Sequence, residues 1–135
     1  MARSILFICA DTDTREMYGA GLRQVGILPV FVDSVSRALA FYRQVAVPLT
    51  VLHLEPDTPA AWDECSQLIS ADVPVVVLTA HVRSEGRTRR LAAAGGCAAF
   101  IAEPCAPSEL ADIVRRVAEG ERGIAWPDTP ALKAG

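Results

Sequence analysis

With 135 residues, 51% of them apolar and 21% charged, the chain has the size and composition of one globular domain with a buried core, which excludes a disordered or fibrous protein. A formal charge of −3 argues against a nucleic-acid binder, because duplex recognition relies on basic surface to displace counterions. No apolar run approaches the roughly 18 residues of a membrane span, and the opening run Ile5-Leu6-Phe7-Ile8 is too short for a signal-peptide core, so a cytoplasmic, bacterial-type setting without membrane contact is expected.

The first strand is expected over Ile5–Cys9. It is followed by a helix in which Asp13 and Glu16 have capping-box spacing and Met17, Tyr18, Leu22 and Val25 share a face, with Gly26 as the stop. Ile27–Val32 is a second strand, placed at an edge by Pro29. Asp33 or Ser34 can cap the next helix, with Val35, Ala38, Leu39 and Tyr42 on its inner face. Leu49–Leu54 is the third strand, and Thr58-Pro59 starts a third helix that turns Trp62, Cys65 and Ile69 inward. Val73–Thr79 is the fourth strand. A weaker fourth helix at about Ser84–Ala94 ends at Gly95-Gly96, and Cys97–Ala102 is the fifth strand. The last helix is the clearest, with Pro107 near its start, Leu110, Ile113, Val114 and Val117 at helical spacing, and Gly120 at its end.

Four of these strands are almost continuously apolar, as strands covered on both faces are. The order (βα)5 therefore predicts a doubly wound α/β fold with a parallel five-stranded sheet between two helical layers. Residues 1–120 form the domain, and 121–135, with Pro127, Pro130 and Trp126, read as an irregular tail that is packed or frayed. The four cysteines, 9, 65, 97 and 105, contain no CxxC pair and read as reduced, buried small residues ahead of any disulfide.

Ligands of open parallel sheets sit beyond the carboxyl ends of the strands. Residues 9–13, 53–57, 79–81 and 103–105 fall there. No glycine-rich fingerprint follows the first strand, no GxxxxGK[ST] exists, and there is no GxSxG elbow, so dinucleotide, P-loop and serine-hydrolase chemistries are excluded.

Across residues 4–120 the chain resembles the receiver domain of two-component response regulators. The run Val75-Val76-Val77-Leu78-Thr79-Ala80, then Ala93-Ala94-Gly95-Gly96, then Phe100-Ile101-Ala102-Glu103-Pro104 and Ser108-Glu109-Leu110 matches in order and spacing the family's strand-four "LTA", its "AGA", its strand-five "YLTKP" and the "EL" opening its last helix. The resemblance implies a flavodoxin-like sheet of order 2-1-3-4-5. It also implies a phosphoryl-accepting site: acids after the first strand and an aspartate ending the third hold Mg²⁺, while a hydroxyl and a lysine bind the phosphoryl oxygens.

This sequence departs from that pattern at most of those positions. Cys9 and Ala10 stand in place of the acidic pair, with Asp11 as the neighbouring acid; His53 stands at the acceptor position; Glu103 replaces the lysine. Thr79 keeps the hydroxyl and Phe100 the aromatic switch position. Twelve of the thirteen basic residues are arginine, and the only lysine is Lys133 in the tail. The expectation is a single-domain, atypical receiver that is not an enzyme, has lost Mg²⁺ binding and aspartyl phosphorylation, and signals by protein contact with a kinase or downstream target.

Two rivals remain. One is a conventional phosphoacceptor using an unusual acid set such as Asp13, Glu55 and Asp57. The other is a metal or thiol sensor built from Cys9, His53 and Cys105, with His81 and Glu103 at the same rim. His53 reads first as a partly buried histidine bonded to Glu103 or Asp11, ahead of a phosphoryl acceptor. Arg83, Arg87, Arg89 and Arg90 crowd the fourth helix and, with Glu109, Asp112, Arg115 and Arg116 of the last helix, form either a docking face, which the resemblance favours and which could pair two copies through helix 4, strand 5 and helix 5, or a solvated charged surface.

Overall fold

The computed structural model describes residues 3–54, 59–79 and 96–126. Strand β1 (Arg3–Ile8) pairs in parallel with β2 (Ile27–Val32) on one side and β3 (Thr50–His53) on the other. β4 (Val75–Thr79) and β5 (Ala99–Ala102) extend the sheet, also in parallel. The order β2-β1-β3-β4-β5 is the one expected, and Pro29 lies on the edge strand, where its missing N–H leaves no gap in an interior ladder.

The strands are apolar on both sides because both sides are covered. Ile5, Phe7, Val51, Val76, Leu78 and Ile101 pack under helices α1 (Thr12–Gln24) and α4 (Pro107–Ala118). Alternate residues Leu6, Ile8, Leu52, Val75, Val77 and Phe100 pack under α2 (Val35–Tyr42) and α3 (Pro59–Ile69). This is the period-2 alternation of a strand, filled with apolar side chains on both faces. In α4, Leu110, Ile113, Val114 and Val117 are all buried, as their spacing predicts.

Three expectations are corrected. Among the described residues the sheet has six strands, because β6 (Ile124–Trp126) pairs in parallel with β5, in the register Ala99↔Ile124, Phe100↔Ala125 and Ile101↔Trp126. The segment beginning at residue 121 is therefore not irregular throughout. Gly120 and Gly123, at φ of 108° and 71°, turn the chain back from α4, and Ile124 and Trp126 pack half-buried against the core. With β6 in place, β5 is paired on both sides, and the docking face expected around the fifth strand is bordered by β6.

The third correction concerns the first helix, whose N-cap is Asp11 and not Asp13. Asp11 has extended backbone (φ −87°, ψ 120°), and its carboxylate accepts the Thr14 N–H at 3.0 Å and the Thr14 hydroxyl. Asp13 falls inside the first turn, where negative charge suits the helix dipole. At the second helix Ser34 is the cap, accepting from the Arg37 N–H. The fourth expected helix at 84–94, Gly95, the residues Glu55, Asp57, Ala80, His81, Arg83, Arg87, Arg89 and Arg90, the Trp62 side chain, and the tail from Pro127 including Lys133 lie outside the described residues.

Candidate functional site

The strand ends bring Cys9, His53, Thr79 and Glu103 to one edge of the sheet. Cys9 follows β1 and donates its N–H to Val32 O at 2.9 Å; His53 ends β3 opposite Leu78; Glu103 follows β5 and donates its N–H to Thr79 O at 2.8 Å. Thr79 is fully buried. Phe100, one of the expected site residues, is buried inside β5 among the side chains under α2 and α3.

The centre of the site is a hydrogen-bonded chain. His53 Nε2 lies 3.0 Å from Glu103 Oε1, and their side chains are only 7% and 15% exposed. The Tyr18 hydroxyl donates to Glu103 Oε2 at 2.8 Å and lies 3.2 Å from the Cys105 carbonyl. His53 Nδ1 lies 3.8 Å from Cys9 Sγ, within reach of a sulfur hydrogen bond. His53 is thus held by Glu103, one of the two acids the sequence offers it. Asp11, the other, is exposed and turned to Thr14.

Burial and charge act together here. Burial raises the Cys9 thiol above its ordinary value; the Asp11 and Glu103 charges add to this, while the Asp11 backbone and Arg15 work against it. Burial, then the bond to Glu103, pushes the Tyr18 phenol far above the usual range, so that it remains a donor. Arg15 comes to the same edge, but its Nε donates to Cys9 O at 2.6 Å and its guanidinium lies 5.4 Å from the Phe31 ring centre.

The Asp11 carboxyl is held below the ordinary aspartate value by the Thr14 hydroxyl first and the Thr14 N–H second. A depressed folded-state value means the cap's contribution is complete above the unfolded-state pKa and fades as pH falls through the lower, folded one. Asp11→Asn is therefore expected to melt below wild type at neutral pH, with the gap closing in strong acid; parallel thermal melts across pH check this.

Two residues of the site were not legible as such in the sequence. Tyr18 reads as one apolar position of α1, and Arg15 as an ordinary helix cation. The available signal was that a phenol on an inward helix face needs a polar partner, and the partner lies 85 positions away. Cys105 does not join Cys9 and His53 as a ligand set: its thiol faces Ala106 O at 3.5 Å, and among the described residues no group of three His, Cys, Asp or Glu side chains could hold a metal. Asp112 and Arg116 lie on the exposed side of α4. Arg115 bridges Asp112 at 2.7 Å and Glu119 at 3.2 Å, and Arg116 pairs with Glu121 and, at 3.9 Å, with Asp112. Among the described residues no helix is long and apolar enough to cross a membrane.

No protein-family model matches the chain, and no curated protein matches it by sequence. Solved structures do. The non-phosphorylated receiver domain of HemR from Leptospira biflexa is 26% identical with a TM-score of 0.70, over 90% of this chain and 98% of that one. A response regulator from Thermotoga maritima aligns at TM-score 0.76 and 15% identity, over 89% of this chain and 100% of that one. The chemotaxis response regulator CheY4 of Vibrio cholerae aligns at 0.71 and 16%, over 87% and 99%. The chain has the response-regulator receiver fold, as its motifs indicate.

Proposed function

We infer that the chain is a receiver-type module of two-component signalling in which aspartyl phosphorylation has been lost, and that it acts in the cytoplasm by protein contact without catalytic turnover. The observation that carries this reading is the Glu103 carboxylate, held by His53 at 3.0 Å and Tyr18 at 2.8 Å. It stands where the receiver pattern puts the lysine that neutralises phosphoryl oxygens, and it presents like charge to an incoming phosphate. The donor set beside it does not fit Mg²⁺ either. A hard cation that takes oxygen ligands would meet the Cys9 sulfur, the Ala10 methyl and the His53 ring, and Asp11 is engaged as a helix cap.

Docking would use the outward face of α4 with Asp112 and Arg116, against a kinase, a downstream target or a second copy. The α4 charges already satisfy one another, so each isolated pair adds little to stability and their arrangement is free to serve recognition. Incubation with acetyl phosphate and Mg²⁺ followed by intact-mass measurement is expected to leave the mass unchanged. A stable gain of one phosphoryl group would overturn the reading.

A further inference from the structure

We propose that Cys9 is a site of oxidative modification by hydrogen peroxide, with His53 as the base that receives the thiol proton and Glu103 as the counter-ion that positions and stabilises the ring. Of the four residues that replace the receiver's acids and lysine, three form a contact chain from Cys9 through His53 to Glu103. Cys9 Sγ lies 3.8 Å from His53 Nδ1, and the opposite ring nitrogen lies 3.0 Å from Glu103 Oε1. A thiol, an imidazole and an orienting carboxylate in this order are the parts of an activated cysteine.

The hydrogen bonds set the direction of proton flow. Glu103 accepts from the Tyr18 hydroxyl and, as an ionised carboxylate, can only accept from His53. A neutral ring then carries its proton on Nε2, and Nδ1, 3.8 Å from the Cys9 sulfur, is the basic acceptor beside the Asp11 carbonyl, which lies 3.6 Å from the same sulfur. Burial keeps the proton on sulfur at rest, so reaction requires a base in contact, and Nδ1 is placed as that base. As sulfur attacks one peroxide oxygen, the thiol proton passes to Nδ1 and the O–O bond breaks. The departing hydroxide takes a proton back from the ring and leaves as water, and Cys9 becomes a sulfenic acid. Sulfur is oxidised and peroxide reduced, with no other reactant required.

The surroundings select the oxidant. Cys9 is 2% exposed, which leaves no approach for a bulky disulfide, and the Asp11 and Glu103 charges that act on its sulfur disfavour anions. Hydrogen peroxide is small and neutral.

The other cysteines are internal controls. Burial pushes the Cys65, Cys97 and Cys105 thiols up to about 12, 11 and 12. Cys97 is more exposed than Cys9, so accessibility alone ranks Cys97 first, whereas the His53 relay ranks Cys9 first. The experiment treats the full chain with hydrogen peroxide, traps sulfenic acid with dimedone and maps the adducts by peptide mass. Cys9 is expected to be labelled fastest, and His53→Gln to slow Cys9 by at least roughly ten-fold, the lower end of what a general base supplies. Glu103→Gln, which keeps a hydrogen-bonding group beside the ring but removes its charge, is expected to slow Cys9 in the same direction, and it carries the test should His53→Gln not fold. A variant that merely loosened the structure would speed labelling at all four cysteines, the opposite sign. Faster labelling of Cys97 than Cys9 in the wild type, or an unchanged Cys9 rate in the folded variants, would overturn the proposal.

Discussion

Gly21→Ala is expected to lower the melting temperature by roughly 4 °C, the equivalent of about 1 kcal/mol in a domain of this size. Gly21 is where α1 crosses α4, and a Cβ built there would stand 2.6 Å from Pro107 Cβ and 2.9 Å from the Pro107 carbonyl carbon and oxygen. The obstacle is the first residue of a helix, fixed by its own ring and backbone, so the two helices must move apart. Overpacking of this kind costs about 1–3 kcal/mol, against a helix-propensity gain of about 1 kcal/mol for replacing glycine by alanine. The clash wins only because it is against backbone. Gly19, two residues earlier on α1, makes the control: its Cβ would meet the mobile Arg23 Nη1 at 3.1 Å and Phe31 Cζ at 3.3 Å. Gly19 is buried too, but its obstacles are side-chain ends that can give, so Gly19→Ala is expected to stay within about 1 kcal/mol of wild type, close contact offsetting the propensity gain. Thermal melts of both variants, with Gly21→Leu as a harsher case, decide the point.

The same helix pair shows how much of the fold was legible. Continuous apolar strands, the proline on the edge strand and the spacing of Leu110, Ile113, Val114 and Val117 are local signals, and the sheet order and helical layers follow from them. β6 was not legible because nothing local defines it. Ile124-Ala125-Trp126 is too short to display a period, and it is a strand because it finds the unpaired side of β5. The cap of α1 was misplaced by two residues for a related reason. Asp13 and Glu16 have the right spacing, but cap choice depends on which residue keeps extended backbone after β1, and that residue is Asp11.

At the candidate site the sequence places each strand end, and therefore which residues share the crevice, but not which of them bond. That Glu103 would choose His53 over its other neighbours, and that Tyr18 would reach it from α1, depends on packing between residues 50 and 85 positions apart. A phenol and an imidazole are both amphipathic, so either could have ended on a solvated rim. Their burial around one carboxylate is a tertiary fact. Glu103 therefore has a structural side beside its proposed one: the carboxylate that would oppose phosphate under the proposed function anchors His53.

Replacing the His53–Glu103 pair by an ion pair of the opposite order separates those sides. Glu103→Lys alone places an ammonium beside His53 and under the Tyr18 hydroxyl, in a spot where the native side chain is 15% exposed. Removing one member of a largely buried pair in this way is expected to cost about 3 kcal/mol. His53→Asp alone sets two carboxylates against each other and is expected to cost a similar amount. Together, His53→Asp and Glu103→Lys place opposite charges across the same gap, and the double variant is expected to recover about 2 kcal/mol relative to the sum of the singles, within the range of contacting residues. Urea unfolding of the four proteins measures that coupling; strict additivity would mean that the pair does not anchor the strand ends. The double variant also carries the lysine and strand-three aspartate of the receiver pattern, yet with Cys9 and Ala10 still after β1 it lacks the carboxylates that a hard cation requires. It is therefore expected to stay unmodified by acetyl phosphate and Mg²⁺ until Cys9→Asp and Ala10→Asp are added, which would place the proposed loss of phosphorylation in the metal cage as much as in the missing ammonium.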